Sequence, residues 1–478
     1  MTVRATLQGA AIAAALCSAC AAPVHDAPPV VQTPAAFKEN ANWKPAQPGD
    51  ALVRGRWWEL FGDPILDSLE ANVTVSNETL KSAQARFEAS RAAVRGARSA
   101  LYPQVSAEPA VARARQSGNR GTSSFHNVYG DFLLPVDVSY EADVWARVRN
   151  SVNASVGTAQ ATAADLESAS LALHAELAID YFSLRGIDRE KALLDSTVAA
   201  YAQALELTQN RFRGGIASQA DVAQAQTQLE MTRGQAVDVG AMRATLEHAI
   251  ATLVGQPAST FALAVSPLDA SPPDIPAGVP SGLLERRPDI AAAERRVAAA
   301  NAQAGAANAA LYPILTLSGL AGFESSSFGS WLSSASNLWS IGAAALINVF
   351  DAGGRQAVRD EARAVYTQTA ADYRQTVLSA FQEVEDQLAI LRVLEEEAAI
   401  QANAVAAAER SLELANNRYR GGVVSYLEVI TAQSAALVNE RAAVNLLTRR
   451  MAATVLLIKA LGGGWNVSLL EQVSAGGS

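Results

Sequence analysis

The chain has only two cysteines, Cys17 and Cys20, both within its first twenty residues. The remaining residues therefore offer neither a disulfide framework nor a thiolate metal cluster. The four histidines, His25, His126, His174 and His248, are dispersed and show no metal-ligand spacing. Aromatic residues make up 6% of the chain while half of it is hydrophobic, much of that alanine, a composition that suits closely packed helices. A net charge of −9 and the lack of any basic block argue against nucleic acid as a partner. No apolar run reaches the roughly 20 residues of a spanning helix. There is no glycine-rich phosphate loop between a strand and a helix, and no nucleophile–base pair, so no enzyme chemistry, metal or cofactor is expected. Proline is absent from 136–256 and from 314 onward, and glycine is absent from 355–420. Those gaps remove helix breakers from two long stretches.

At the N-terminus, Arg4 and the apolar run 5–16 have the form of a secretory signal. Ser18 and Ala19 before Cys20 resemble a bacterial lipobox, with Cys17 standing where leucine is usual. The resemblance implies cleavage after residue 19 and lipid attachment at Cys20. Ala21 in place of aspartate implies the outer membrane. Residues 1–19 are thus expected to be a signal peptide and 20–56, rich in proline and alanine, an extended tether.

What the chain has in abundance is self-similarity. LELTQNRFRGG at 205–215 and LELANNRYRGG at 412–422 share eight of eleven residues, and an acid, Asp221 or Glu428, follows six positions after each second glycine. Leu-Tyr-Pro recurs at 101–103 and 311–313, and DVWARVR at 143–149 corresponds to FDAGGR at 350–355. So long a period marks two structural halves and no solenoid. The first half is expected at 57–255 and the second at 284–465, with a linker at 256–283 and a tail at 466–478.

Residues 355–420 predict a helical rod of roughly 100 Å at about 1.5 Å per residue. Residues 149–213 predict its partner, with Gly157 and Gly186 as expected interruptions. Each rod should end at a double glycine, Gly214–Gly215 or Gly421–Gly422, and return as a shorter helix, 216–254 or 423–461. The hairpin tips are placed at 211–221 and 418–428. The return helices are too short to match the rods; residues 284–311 are expected to continue the first and residues 64–100 the second, giving four columns.

Between rod and Leu-Tyr-Pro, the period changes to two. Phe132, Leu134, Val136, Val138, Tyr140, Ala142 and Val144 fall on one face, opposite Asp131, Asp137, Ser139, Glu141 and Asp143. Trp339, Ile341, Ala343, Ala345, Ile347 and Val349 repeat the oily face. With weaker alternation at 104–112 and 314–322, each half predicts a β-hairpin, about 104–145 and 314–350, around polar loops 116–126 and 324–337. Tyr129, Phe125, Trp145, Phe328 and Trp331 are expected at membrane interfaces. Four strands cannot close a barrel, so the fold expected is mainly α with a membrane β portion completed by other copies.

WWELFGDPILDSL at 57–69, the Leu-Tyr-Pro segments, LLERRPDIAAAERRVAAANAQ at 283–303, both Arg-Gly-Gly tips and KALGGGW at 459–465 resemble the TolC-like outer-membrane factors, in particular the lipoprotein branch of RND-type efflux systems. The resemblance implies a homotrimer with a twelve-stranded barrel, a periplasmic helical tunnel and a passive exit duct for drugs or other small molecules. It also implies a periplasmic adaptor and an inner-membrane RND-type transporter as partners. The adaptor would meet the tips at Arg213, Gly214, Gly215, Arg420, Gly421 and Gly422. The aperture would lie at Glu428, with Asp221 second. The Arg287-Pro288-Asp289 segment is read as a helix start. A coiled-coil adaptor or scaffold lipoprotein and the exit duct of a type I protein secretion system remain the alternatives.

Overall fold

The computed structural model of the protein describes residues 33–34, 36–39, 55–115, 128–273, 275 and 286–465. The expectations for Cys17 and Cys20, Phe125, His25, His126, the 116–126 loop and the 466–478 tail lie outside the described residues.

Seven α-helices carry most of this structure: α1 Pro64–Ser76, α2 Glu78–Ser99, α3 Arg147–Arg213, α4 Gln219–Leu253, α5 Pro288–Ala309, α6 Gly354–Arg420 and α7 Tyr426–Ala460. The rods α3 and α6 are each 67 residues long, about 100 Å. Gly157 and Gly186 do not interrupt α3. They are points of close approach, where a Cβ would come within 3.0 Å of Ala299 and 2.2 Å of Thr448. Each rod begins at a left-handed residue, Ala146 or Gly353, behind an aspartate. Asp143 accepts from the N–H groups of Val148 and Arg149, and Asp351 from those of Gly353 and Arg355. These carboxylates satisfy donors at the positive helix ends. Arg149 and Arg355 also hydrogen-bond the respective aspartate through their side chains, and these bonds hold the Asp351 carboxyl below its ordinary pKa.

The columns pair differently from the sequence expectation. Asn77, the N-cap of α2, donates to Leu253 O at the end of α4 (2.8 Å), and a Cβ on Gly255 would lie 2.4 Å from Ser76 O. Arg287, the N-cap of α5, donates to Ala460 O at the end of α7 (3.1 Å), and Gly462 abuts Arg286 O. Thus α2 continues α4, and α5 continues α7, each within its own half. α3 packs against both columns and α6 against the α5/α7 column. The resulting order is α2/α4, α3, α5/α7, α6.

The largest core sits where the columns change over, around Trp57, Trp58, Leu66, Tyr181, Phe182, Leu388 and Leu457. Part of the N-terminal segment expected to be a free tether docks there. Phe37 is buried in this core, the amides of Lys38 and Glu39 donate to Glu385, and Glu39 pairs with Arg392. A salt network ties the 256–269 stretch to the helices. In it, Asp188 accepts from Arg185, Arg243 and the Ser266 amide, and Arg189 donates to Leu268 O.

At the far end lies one antiparallel sheet of β1 Gln104–Ala107, β2 Ala110–Arg115, β3 Val128–Ala142, β4 Ile314–Ser325 and β5 Asn337–Leu346. β1 and β2 both pair with β3 in one register, as a single strand broken at Glu108–Pro109. Proline has no N–H to give to a ladder. β3 pairs with β4 and β4 with β5, so among the described residues both outer edges are unpaired. The strands end earlier than expected: Val144, Ile347 and Val349 lie beyond them.

Candidate functional site: sheet faces and hairpin tips

Directly paired residues share a face, so the register sorts the sheet. Val105, Val138, Gly319 and Ile341 form one row, and Ala107, Val136, Ala321 and Trp339 the next. Tyr140, Leu317 and Ala343, then Ala142, Leu315 and Ala345, extend this apolar face. The opposite face has Gln104, Ser139, Ser318 and Gly342 in one row and Ser106, Asp137, Leu320 and Ser340 in another. Asp131, Glu141 and Glu324 belong to this polar face too. The two-sided pattern matches the sequence reading. Phe132 on the apolar face meets Phe328 and Trp331 at 5.9 and 5.7 Å, an aromatic cluster at the end away from the helices. Two expected interface aromatics differ. Tyr129, paired with Ala114, lies on the polar face, and Trp145 stacks on Tyr312 and donates to Pro313 O, locking the strand–helix joint.

Both tips close in the same way. Gly215 N bonds Phe212 O and Ile216 N bonds Arg211 O, while Gly422 N bonds Tyr419 O and Val423 N bonds Arg418 O. This doubled bond pattern requires a left-handed residue, and Gly215 (φ 73°) and Gly422 (φ 74°) supply it. Gly214 and Gly421 have ordinary negative φ, and a Cβ there would make only van der Waals contacts. The second glycine of each pair therefore sets the turn. Arg213 and Arg420 are the last helical residues and are exposed; Arg213 bonds Asn210. Ile216 and Val423, each 70% exposed, sit at the apex of the tips. Sequence reasoning passed over them, although a β-branched residue after both double glycines was a visible signal.

The two acids diverge. Asp221 completes a capping box, accepting from Ser218 N and Oγ while its own N–H bonds Ser218 Oγ. Glu428, one methylene longer, leaves its cap and pairs with Arg418 at 3.1 Å, half exposed. Arg211 binds the hairpins together. It lies 4.6 Å over the Tyr419 ring and donates to Tyr419 O at 2.9 Å. Tyr419 and Tyr426 pack at 5.2 Å, and burial pushes the Tyr426 hydroxyl up to about 12.

Arg287 is more than a helix start. Buried, it grips Asp289 through two bonds, Glu383 at 2.7 Å and Ala460 O, and so joins α5, α6 and α7. Among the described residues no group of His, Cys, Asp or Glu is arranged to hold a metal, and no helix is long and apolar enough to cross a membrane.

These features are shared with known proteins. The chain is 31% identical over 445 residues to the probable efflux pump outer membrane protein TtgC of Pseudomonas putida, covering 91% of this chain and 92% of the relative. It is 31% identical over 422 residues to the pyoverdine export outer membrane protein OpmQ of Pseudomonas aeruginosa, covering 87% and 89%. The solved outer-membrane channel OprN superposes with a TM-score of 0.85 at 29% identity, covering 92% of this chain and 99% of that one. The outer membrane efflux protein family matches residues 71–256 and 279–463, one segment in each half. With its strands in the outer membrane and its helical columns in the periplasm, the chain belongs to the outer membrane efflux protein family.

Proposed function

We propose that three copies of this outer-membrane efflux channel close a twelve-stranded barrel, continued by a twelve-column helical tube. The assembly acts as the passive exit duct of a tripartite pump. The observation that carries this reading is the sheet: one face apolar, the other carrying Asp131, Asp137, Glu141 and Glu324, with two edges left unpaired. Lipid does not tolerate open strand edges, so a membrane sheet of this size must be completed by other copies. The names of the relatives, efflux pump and export outer membrane proteins, support the same duty. Cys20 is the lipid attachment residue, and the barrel supplies the firmer hold.

A periplasmic adaptor, which couples the duct to an inner-membrane RND-type transporter, docks at the tips. The duplicated turns around Arg213–Gly215 and Arg420–Gly422 support this, because they offer two matching surfaces capped by Ile216 and Val423. Glu428 lines the aperture: it is not spent on a cap, whereas Asp221 is. Three carboxylates about 7 Å apart repel by roughly 1 kcal/mol per pair at an effective dielectric near 40. A ring of that kind attracts cations. Planar-bilayer recording tests both levels. The assembled protein should conduct with cation preference, and Glu428→Gln should lower that preference and the block by multivalent cations. A protein that is monomeric in lipid and does not conduct would sink the duct; unchanged selectivity in Glu428→Gln would remove only the aperture assignment.

A further inference from the structure

The described strands carry six charged residues, and the register separates them by sign. The four acids, Asp131, Asp137, Glu141 and Glu324, all occupy the polar face. The two cations, Arg113 and Arg115, pair with Gly130 and Val128, which share the parity of Phe132, Val136 and Val138. Both arginines therefore point to the lipid side. They are exposed and lie two and four residues beyond Val111, the partner of Phe132. At about 3.3 Å per residue this puts them some 7 and 13 Å along the strand past the aromatic row. Phe132, Phe328 and Trp331 mark an interface, and the helices leave the sheet at its other end. The arginines thus stand at the headgroup level of the outer leaflet.

No ion pair involves either arginine among the described residues, and the sequence of 116–127 contains no acid. Strand β1/β2 is an edge of the sheet, and β5, the edge a neighbouring copy would lay beside it, contains no charged residue. Guanidinium forks at this depth match phosphate oxygens in geometry and in charge.

We propose that Arg113 and Arg115 form a docking surface for the phosphate groups of an anionic glycolipid of the outer leaflet. The test uses the assembled full chain in phosphatidylcholine vesicles with and without diphosphorylated lipid A. Lipid A should raise the thermal midpoint of the assembly and remain bound in native mass spectrometry. Arg113→Gln/Arg115→Gln should hold lipid A roughly tenfold or more weakly, and each single glutamine variant should show an intermediate loss. Dephosphorylated lipid A, phosphatidylglycerol and inorganic phosphate should fail to reproduce the gain. Conductance should stay unchanged, which separates this proposal from the duct itself. Retention as tight in the double variant as in the wild type would overturn it. So would full retention in both single variants, or an equal gain from phosphatidylglycerol or free phosphate.

Discussion

A single buried pair at the changeover level gives the protein a definite response to pH. Glu70 and His174 meet at 2.5 Å, both buried, with Trp58 stacked on the imidazole at 4.5 Å. Burial pushes the Glu70 carboxyl up to about 9 and the His174 imidazole down to about 4. At neutral pH both are then uncharged, the protonated carboxyl facing Nδ1 as its donor. Between pH 4.5 and 6.5 the unfolded chain holds one proton on the histidine while the folded chain holds one on the glutamate, so the pair adds no slope. Above pH 6.5 only the folded state keeps a proton, and its contribution to stability is lost as pH rises toward about 9, at about 1.4 kcal/mol per unit at most. Glu70→Gln should flatten the fall of the thermal midpoint between pH 6.5 and 9; an unaltered fall would show that the slope arises elsewhere. The tips give a second prediction at this scale. Gly215→Val or Gly422→Val forces a β-branched residue to positive φ. A folded assembly with drug efflux strongly reduced is expected in a strain that depends on the variant. Gly214→Val and Gly421→Val, at ordinary φ, should be milder.

Between elements, a close contact forms where α3 crosses α7. A methyl on Gly186 would meet Thr448 Oγ1 at 2.2 Å, beside a cavity of about 460 Å³ lined by Ile187, Met242, Leu246 and Val444. Gly186→Ala should cost about 1–3 kcal/mol by overpacking, and adding Thr448→Ala should restore most of it. A double variant no more stable than Gly186→Ala would place the strain elsewhere. The elements themselves were legible in the sequence to within a few residues. Missing prolines and glycines gave the rods, double glycines the tips, and strict alternation the face of β3. The pairing of columns was not legible. The two candidate upper segments are of similar length, so length alone could not tell which one continues a return helix. The junction is decided by side chains such as Asn77 and Arg287 that find carbonyls distant in sequence. The unequal fates of Asp221 and Glu428 were hidden for a similar reason: one methylene separates an acid that caps its helix from one that pairs with Arg418.

For the whole molecule, sidedness in the sheet predicts which charges assembly can bear. Val138→Arg or Ala343→Arg on the apolar face should cost about 2–4 kcal/mol per chain at the barrel midplane, and the cost recurs in every copy. The yield of assembled protein in the outer membrane should fall sharply. Asp137→Arg, next to Val138 but facing the polar side, should assemble normally. Equal yields from the two faces would overturn the inside–outside assignment.

The column order has a consequence for mixed populations of chains. One flank of each chain is α2/α4 with β1/β2, and the other is α6 with β5. These flanks are unlike, so copies closing the proposed ring would join head to tail, with no twofold axis relating neighbours. Within a closed ring, a chain damaged on one flank spoils a single junction and offers its sound flank to the next chain. Co-expressed with the wild type, such a chain would enter rings and weaken them, making the lesion dominant. A chain damaged on both flanks would be left out, and the same cell would keep a working set of rings.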